Sequence, residues 1–215
     1  MKSENKYWEF TEEEVHHFGH RLRRIRALVD LPDRRVKKGE TGGWVSDSAE
    51  ISGSAWVYDE ARVYGSSRVF DSAEVSGSAW VYGNAQITGS ARVSGAARVH
   101  GLARVYGSAW VAGLAEVSGE ARVKVKSHVM TLTSIGSKDS TVNLVRTEKG
   151  HYLQVGCWEG AVQTLMEEVY KGSEKWVCDA ATKQQWIKEY QALEMLAMER
   201  VAAWERARSE EATNQ

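Results

Sequence analysis

At 215 residues and a formal net charge of −1, the chain is long enough for one or two domains and carries no bulk charge to draw it to nucleic acid or an anionic membrane. The balance holds locally: ten basic and eight acidic side chains in residues 1–43, eight of each in 44–129, and ten against thirteen in 130–215. Two cysteines, Cys157 and Cys178, no apolar leader and no run near the ~18 apolar residues of a membrane span point to a cytoplasmic protein without a disulfide.

In chain order, Thr11-Glu12-Glu13-Glu14 has capping-box spacing, and Val15 with Phe18 supplies a small apolar face before Gly19. A short helix is expected there. Between Arg21 and Asp30, Phe18, Leu22, Ile25 and Val29 keep helical spacing, while Ile25, Ala27 and Val29 alternate against Arg24 and Arg26. We read a strand, placed to cover a sheet edge that would otherwise stay open. The cluster Arg21, Arg23, Arg24, Arg26, Arg34, Arg35, Lys37 and Lys38 has two readings, a phosphate- or RNA-contacting patch or a solvated cap. Its interleaved glutamates favour the cap.

From Trp44 to Val123 a unit Val-x-Gly-x-Ala-x repeats without a gap, with Val or Ile at every sixth position from Val45 and Ala two residues earlier from Ala49 to Ala121, except Ser67. So strict a period marks a solenoid. Two residues after each Val/Ile stands Asp47, Gly53, Asp59, Gly65, Asp71 or, from Gly77 to Gly119, only glycine. Gly and short polar residues accept φ > 0 cheaply, so each marks a corner. Period-2 alternation sends Ala and Val inward and leaves the residues on either side of each Val outward. Three units make a coil of about eighteen residues, coils stack about 4.8 Å apart, and the stretch holds roughly four to five of them. At Val125 the corner residue is lost and the winding is expected to stop.

Beyond it, His128–Ser134, Thr141–Thr147 and Tyr152–Gly156 read as strands of a separate layer. Val162, Leu165, Met166 and Val169 have helical spacing closed by Gly172. A longer helix is expected from Asp179 as N-cap to about Arg208, with Ser209–Gln215 frayed. Its broad apolar face, Trp186, Ile187, Tyr190, Leu196, Val201 and Trp204, exceeds what the small strand layer should bury; it is assigned to assembly, with packing on the β-helix of the same chain as the alternative. The expected organisation is mainly β: an N-terminal cap (1–43), a β-helix (44–129) and an α+β module with a long helix (130–215).

The repeat resembles that of the hexapeptide-repeat, left-handed β-helix proteins, and the handedness is implied by that resemblance. The lead-in Arg24-Ile25-Arg26-Ala27, Val36-Lys37-Lys38-Gly39 and Gly42-Gly43-Trp44-Val45 further resembles a bacterial and prophage-encoded group of β-helix proteins. The likeness covers roughly residues 20–125 and speaks to fold far more than to activity. It implies a homotrimer, since related β-helices associate three prisms about an axis.

Outward slots eighteen residues apart share a prism face. One face carries Trp44, Arg62, Trp80, Arg98 and Glu116 before Val, with Ser46, Tyr64, Tyr82, His100 and Ser118 after it. Two readings stay open: a self-stabilising cation–π ladder or a surface covered by a partner, since Trp, Tyr and Arg dominate interface anchors. The second face sets Arg68, Arg104 and Arg122 beside Tyr106 and could hold a phosphate or a base, though solvated arginines are the plainer reading. The third, with Trp56, Glu74, Arg92, Trp110 and Tyr58, gives no direction.

The resemblance also raises acyl-CoA acyltransferases, which use a histidine base and often a loop thrown out from a coil. Here the solenoid is uninterrupted, and His100 is the one mid-coil histidine, with no orienting partner assignable from the sequence. His128 at the solenoid exit is weaker. His16, His17 and His20 lack a second ligand set for a metal. Cys157 reads as a buried structural cysteine, or a thiol activated at a strand-to-helix junction. No Walker-type or dinucleotide fingerprint occurs. The expected function is therefore non-catalytic binding, with no cofactor or metal, and the resemblance to the prophage-encoded group implies a phage accessory factor that binds a host protein or a small nucleotide and blunts host defence. Acyl transfer and a purely structural role are the alternatives.

Overall fold

The structure, a computed structural model, describes residues 6–213; the first five residues of the expected cap and the last two of the expected frayed tail lie outside them. The chain divides into two compact units, residues 1–127 and 128–215.

The first unit opens with an antiparallel hairpin, β1 (Trp8–His17) and β2 (His20–Ala27), in which His17 pairs with His20. This corrects the expected helix at Thr11–Phe18. Two helical turns alone are marginal in water, whereas Trp8, Phe10, Thr11 and Val15 suit a strand that has a partner. Phe18 (φ 45°) and Gly19 (φ 78°) form the two-residue turn, whose positive φ values match strand twist. The expected strand within Arg21–Asp30 is β2, and it pairs antiparallel with β3 (Thr41–Ser46).

Two-residue strands then follow every sixth residue, from β4 (Glu50–Ile51) to β16 (Arg122–Val123). Each pairs in parallel with the strand one coil on, Trp44 with Arg62, Arg62 with Trp80, Trp80 with Arg98 and Arg98 with Glu116. The result is a parallel β-solenoid of about four turns with three sheets, one of which β1 and β2 extend to seven strands. Inward Val and Ala are fully buried from Val63 to Val123, so a thin aliphatic core runs the length of the prism.

The corners behave as φ > 0 sites. At Gly89 (φ 68°) an added Cβ would also stand 3.0 Å from the backbone nitrogen of Gly107 in the next coil. Asp59 and Asp71 take the same conformation, and their carboxylates accept the N–H of Gly77 at 2.9 Å and of Gly89 at 3.2 Å. Asp47 departs from the expected pattern. It lies outside the positive-φ set, and its carboxylate pairs with Arg23 of the hairpin. Winding stops after β16, where the chain enters the short turn Lys126–His128.

The Gly42-Gly43 lead-in has a steric cause. A Cβ on Gly42 would lie 2.5 Å from the Val57 carbonyl oxygen and 2.9 Å from the Trp56 ring, and one on Gly43 would lie 2.7 Å from the Ala61 oxygen. Only glycines let this strand approach the first coil so closely. Trp56, expected on the outer face, is fully buried. Beside it the Tyr58 hydroxyl donates to the Arg34 carbonyl at 3.0 Å, and burial pushes that phenol up to about 12.

In the second unit a four-stranded antiparallel sheet, β17 (Val129–Ile135), β18 (Ser140–Arg146), β19 (His151–Val155) and β20 (Trp158–Gly160), adds one strand to the three expected. Helix α1 (Leu165–Ser173) and helix α2 (Ala180–Thr213) follow. Asp179 caps α2, accepting the Thr182 amide at 2.9 Å and the Thr182 hydroxyl at 2.6 Å. Ser209 and Thr213, expected to fray, continue the helix with hydroxyls bonded to carbonyls four residues back.

The expected surplus apolar face on α2 is corrected by burial. Tyr190, Leu193, Ala197, Val201 and Trp204 form one core with Val142, Leu144 and Leu153 of the sheet, so these side chains do serve their own module. Ile187 is also buried, and Trp186 stands edge-on to Trp176 with centroids 5.5 Å apart. Only Leu196 of the assigned set is exposed, with Met195 and Met198 near it. Among the described residues no helix is long and apolar enough to cross a membrane.

Candidate functional site

Because strands eighteen residues apart are hydrogen-bonded neighbours, the outward slots of β6 (Arg62–Val63), β9 (Trp80–Val81), β12 (Arg98–Val99) and β15 (Glu116–Val117) bring the expected first face together as two columns. In the column before Val, Trp80 lies between two guanidinium groups, Arg62 at 5.8 Å and Arg98 at 4.7 Å from its ring. In the column after Val, Tyr64 and Tyr82 are parallel with centroids 5.1 Å apart, and His100 stacks on Tyr82 at 4.7 Å.

The hairpin closes one end of this face. Trp44 and Tyr64, expected to be open, are buried with Leu22. Arg24 lies over Trp44 at 4.4 Å, and the Trp44 indole N–H donates to Glu60 at 2.9 Å. That bond and the Arg24 guanidinium hold the Glu60 carboxyl below its usual range. Burial, followed by the Tyr82 beside it, pushes the Tyr64 phenol up to about 12. At the hairpin tip His17 stands edge-on to Trp80 at 4.6 Å and to Tyr64 at 5.3 Å, with its Nδ1 3.4 Å from Arg62. Desolvation, then the Arg62 charge and His20, lower the His17 pKa. The accessible part of the face is thus Trp80, Tyr82, Arg98, His100 and Glu116.

His100 is not the unsupported histidine expected from sequence. Its Nε2 lies 3.0 Å from Glu116 Oε1, which fixes the ring and disposes Nε2 to carry the proton. The relation is one of sixteen residues, and the same step links Trp44 to Glu60 and Trp110 to Ser94. A scan of outward slots sixteen apart would have found it. His17, His20 and Arg24 were not assigned to this face, because nothing in their own segment says which coil they cover.

The other expected residues are dispersed. On the second face Arg68 pairs with Glu50 at 3.0 Å and lies over Phe70, and Arg104 pairs in strand register with Arg122, whose guanidinium donates to the Leu102 carbonyl at 3.3 Å. Tyr106 is half-buried on that side. Four of the N-terminal arginines are engaged by acids: Arg21 pairs with Glu14, Arg24 with Glu60, Arg26 with Glu9 and Arg34 with Glu74.

Cys157 is exposed rather than buried, and it sits in the turn between β19 and β20, not at a strand-to-helix junction. Both cysteines are free. His128 is buried, with Nε2 2.8 Å from an Arg146 nitrogen. No protein-family model matches this chain, and no curated protein matches it.

Proposed function

We propose that the protein is a non-catalytic binding module whose partner docks on Trp80, Tyr82, Arg98 and His100. The observation that supports this reading best is Trp80 held between Arg62 and Arg98 beside the Tyr82–His100 stack. Trp, Tyr and Arg are the side chains in which interface energy concentrates, and a hydrogen-bonded solenoid presents them with little ordering entropy left to lose. The ligand is a host protein or a small nucleotide. With the resemblance to the prophage-borne hexapeptide-repeat group, the reading becomes a phage accessory factor acting in the host cytoplasm to blunt a host defence. Assembly into a homotrimer belongs to the same proposal.

The acyltransferase reading draws on one observation, the His100–Glu116 contact, which could orient a general base. Against it, the imidazole lies flat on Tyr82 as the third member of a stack, an arrangement that serves packing equally well.

The test is to immobilise the protein, its Trp80→Ala and Arg98→Glu variants and an Arg92→Ala control, and to identify by mass spectrometry what each retains from bacterial lysate and from a nucleotide pool. A component kept by the parent and the control but lost by both face variants supports the reading. Equal retention by all four, or none above empty matrix, rejects it.

A further inference from the structure

Phe18, at the hairpin tip, is at odds with its position on two counts. At φ 45° it takes the left-handed conformation that glycine adopts freely and a bulky residue only under strain, and its side chain is 75% exposed. Its ring is edge-on to Trp80, with centroids 5.9 Å apart and planes at 70°. Guanidinium groups lie over Trp80 from the coils on either side of it, Arg62 at 5.8 Å and Arg98 at 4.7 Å.

Those two guanidiniums differ from others of the same unit. Arg24, Arg34, Arg68 and Arg92 each have a carboxylate partner, whereas among the described residues neither Arg62 nor Arg98 has one within ion-pair distance. Stacking on a ring uses the face of a guanidinium and leaves the fork of N–H donors at its edge, and Arg98 is exposed. A strained, exposed ring and an exposed cation thus meet at one indole.

We infer that Phe18, Trp80 and Arg98 dock an acidic, aliphatic segment of a partner protein, an inference that rests on the binding reading above and names its partner. An aliphatic side chain packs in the angle between the Phe18 and Trp80 rings, and a neighbouring carboxylate takes the Arg98 fork. A nucleobase or a sugar ring needs a flat aromatic platform. Here guanidiniums already lie over Trp80, and Phe18 stands at 70° to it, so the two rings share no such surface. Charge points the same way, since two guanidiniums fall short of the about six to ten phosphate contacts that hold a protein on nucleic acid.

The test is an NMR titration of the full chain, read at the Trp80 indole N–H, whose signal a Trp80→Phe variant identifies. The probe is an acetylated, amidated nonapeptide of alternating Glu and Leu; its counterparts carry Gln for Glu or Ser for Leu, and a thymidine dodecanucleotide is titrated beside them. The Glu-Leu peptide should bind at millimolar concentration or below, and each counterpart at least about tenfold more weakly, the scale of one hydrogen bond to a charged group or one buried side chain. Arg98→Gln should erase the preference for Glu over Gln. Phe18→Gly should erase the preference for Leu over Ser while the melting temperature holds or rises, because glycine suits both positions of this turn. No shift with millimolar Glu-Leu peptide, equal binding of the Gln counterpart, or preferences that survive both variants overturn the inference. So do tighter binding of the oligonucleotide and a fall in light-scattering mass on Phe18→Gly, which would give the face to nucleic acid or to a second copy of the chain. A melting temperature lowered by Phe18→Gly would make the ring structural and overturn its role as an anchor. If the peptide fails while a lysate component is still lost on Trp80→Ala, only the acidic segment is refuted; if nothing is retained either, the binding reading falls with it.

Discussion

The imidazole of His17, at the tip of the hairpin, stands edge-on against Trp80 with centroids 4.6 Å apart and its Nε2 buried without a hydrogen-bond partner. Protonating it would place a cation beside Arg62 and His20. Burial and those charges lower its pKa in the folded state, so the unfolded chain, at about 6.5, takes up the proton more readily. Stability from this site is therefore complete above about pH 6.5 and is lost as pH falls through the lowered folded value. His151 is lowered by its own burial and contributes a loss of the same sign from the second unit.

His17→Gln removes one of these groups and leaves the other. Between pH 7.5 and 5 the parent should lose more melting temperature than this variant. Glu60 and Asp71, both below their usual range, act at lower pH and leave that window clear. Parallel pH profiles for the two proteins would show that His17 does not titrate against the aromatic face.

Corner glycines should matter more than outward arginines. Gly89→Val puts a branched side chain at φ 68°, 3.0 Å from the neighbouring coil, and should destabilise by about 1–3 kcal/mol or more. Arg92→Ala removes an exposed partner of Glu74 at 3.3 Å and should stay near the surface norm of about 0.5 kcal/mol. Equal losses in denaturant melts would contradict the corner geometry.

Trp56 and Trp110 occupy the same slot of the same repeat on the same sheet, yet Trp56 is 0% exposed and Trp110 47%. Trp56→Ala should cost about 3–5 kcal/mol, and Trp110→Ala, whose indole donates to Ser94, about 0.5 kcal/mol. The pair of variants reports directly on whether the lead-in packs over the first coil.

This pair also marks what the sequence could reveal. Period six, the inward Val and Ala, the corners from Gly53 onward and the end of winding at Val125 were readable, because in a solenoid the distance along the chain fixes the neighbour in space. The facing of Trp80 by Arg62 and Arg98 came with that rule. What escaped depends on segments outside the period. Whether an outward Trp is covered is decided by residues around Gly42, and the burial of Trp44 and Tyr64 by a hairpin whose Thr-x-x-Glu spacing looked helical. On α2 the apolar residues were assigned to assembly because the capacity of the module's own core was underestimated, since Met130, Leu132 and Trp158 also pack against it.

Acyl transfer is not expected. His100 has an orienting carboxylate, but its ring is engaged by Tyr82 on one face, and catalysis would need an acceptor within hydrogen-bond reach of the remaining nitrogen. Turnover of an amine or alcohol with acetyl-CoA that His100→Ala abolishes would show the protein to be an enzyme.

Oligomerisation through α2 now rests on fewer residues. Tyr190, Val201 and Trp204 belong to the module core, whereas Leu196 is 45% and Met195 73% exposed. An apolar group of this kind on a soluble chain is commonly an interaction site, and a patch repeated on identical subunits closes most simply in a cyclic assembly, a trimer in β-helices of the kind this chain resembles. Light scattering of the full chain should therefore give three chains. Leu196→Glu, a change at a half-exposed position, should dissociate them and leave the unfolding free energy of a single chain within about 0.5 kcal/mol. Trp204→Ala should instead unfold the module, at about 3–5 kcal/mol. A full-length mass of one chain refutes the trimer, and a Leu196→Glu protein that stays trimeric moves the contact surface from α2 to the faces of the solenoid.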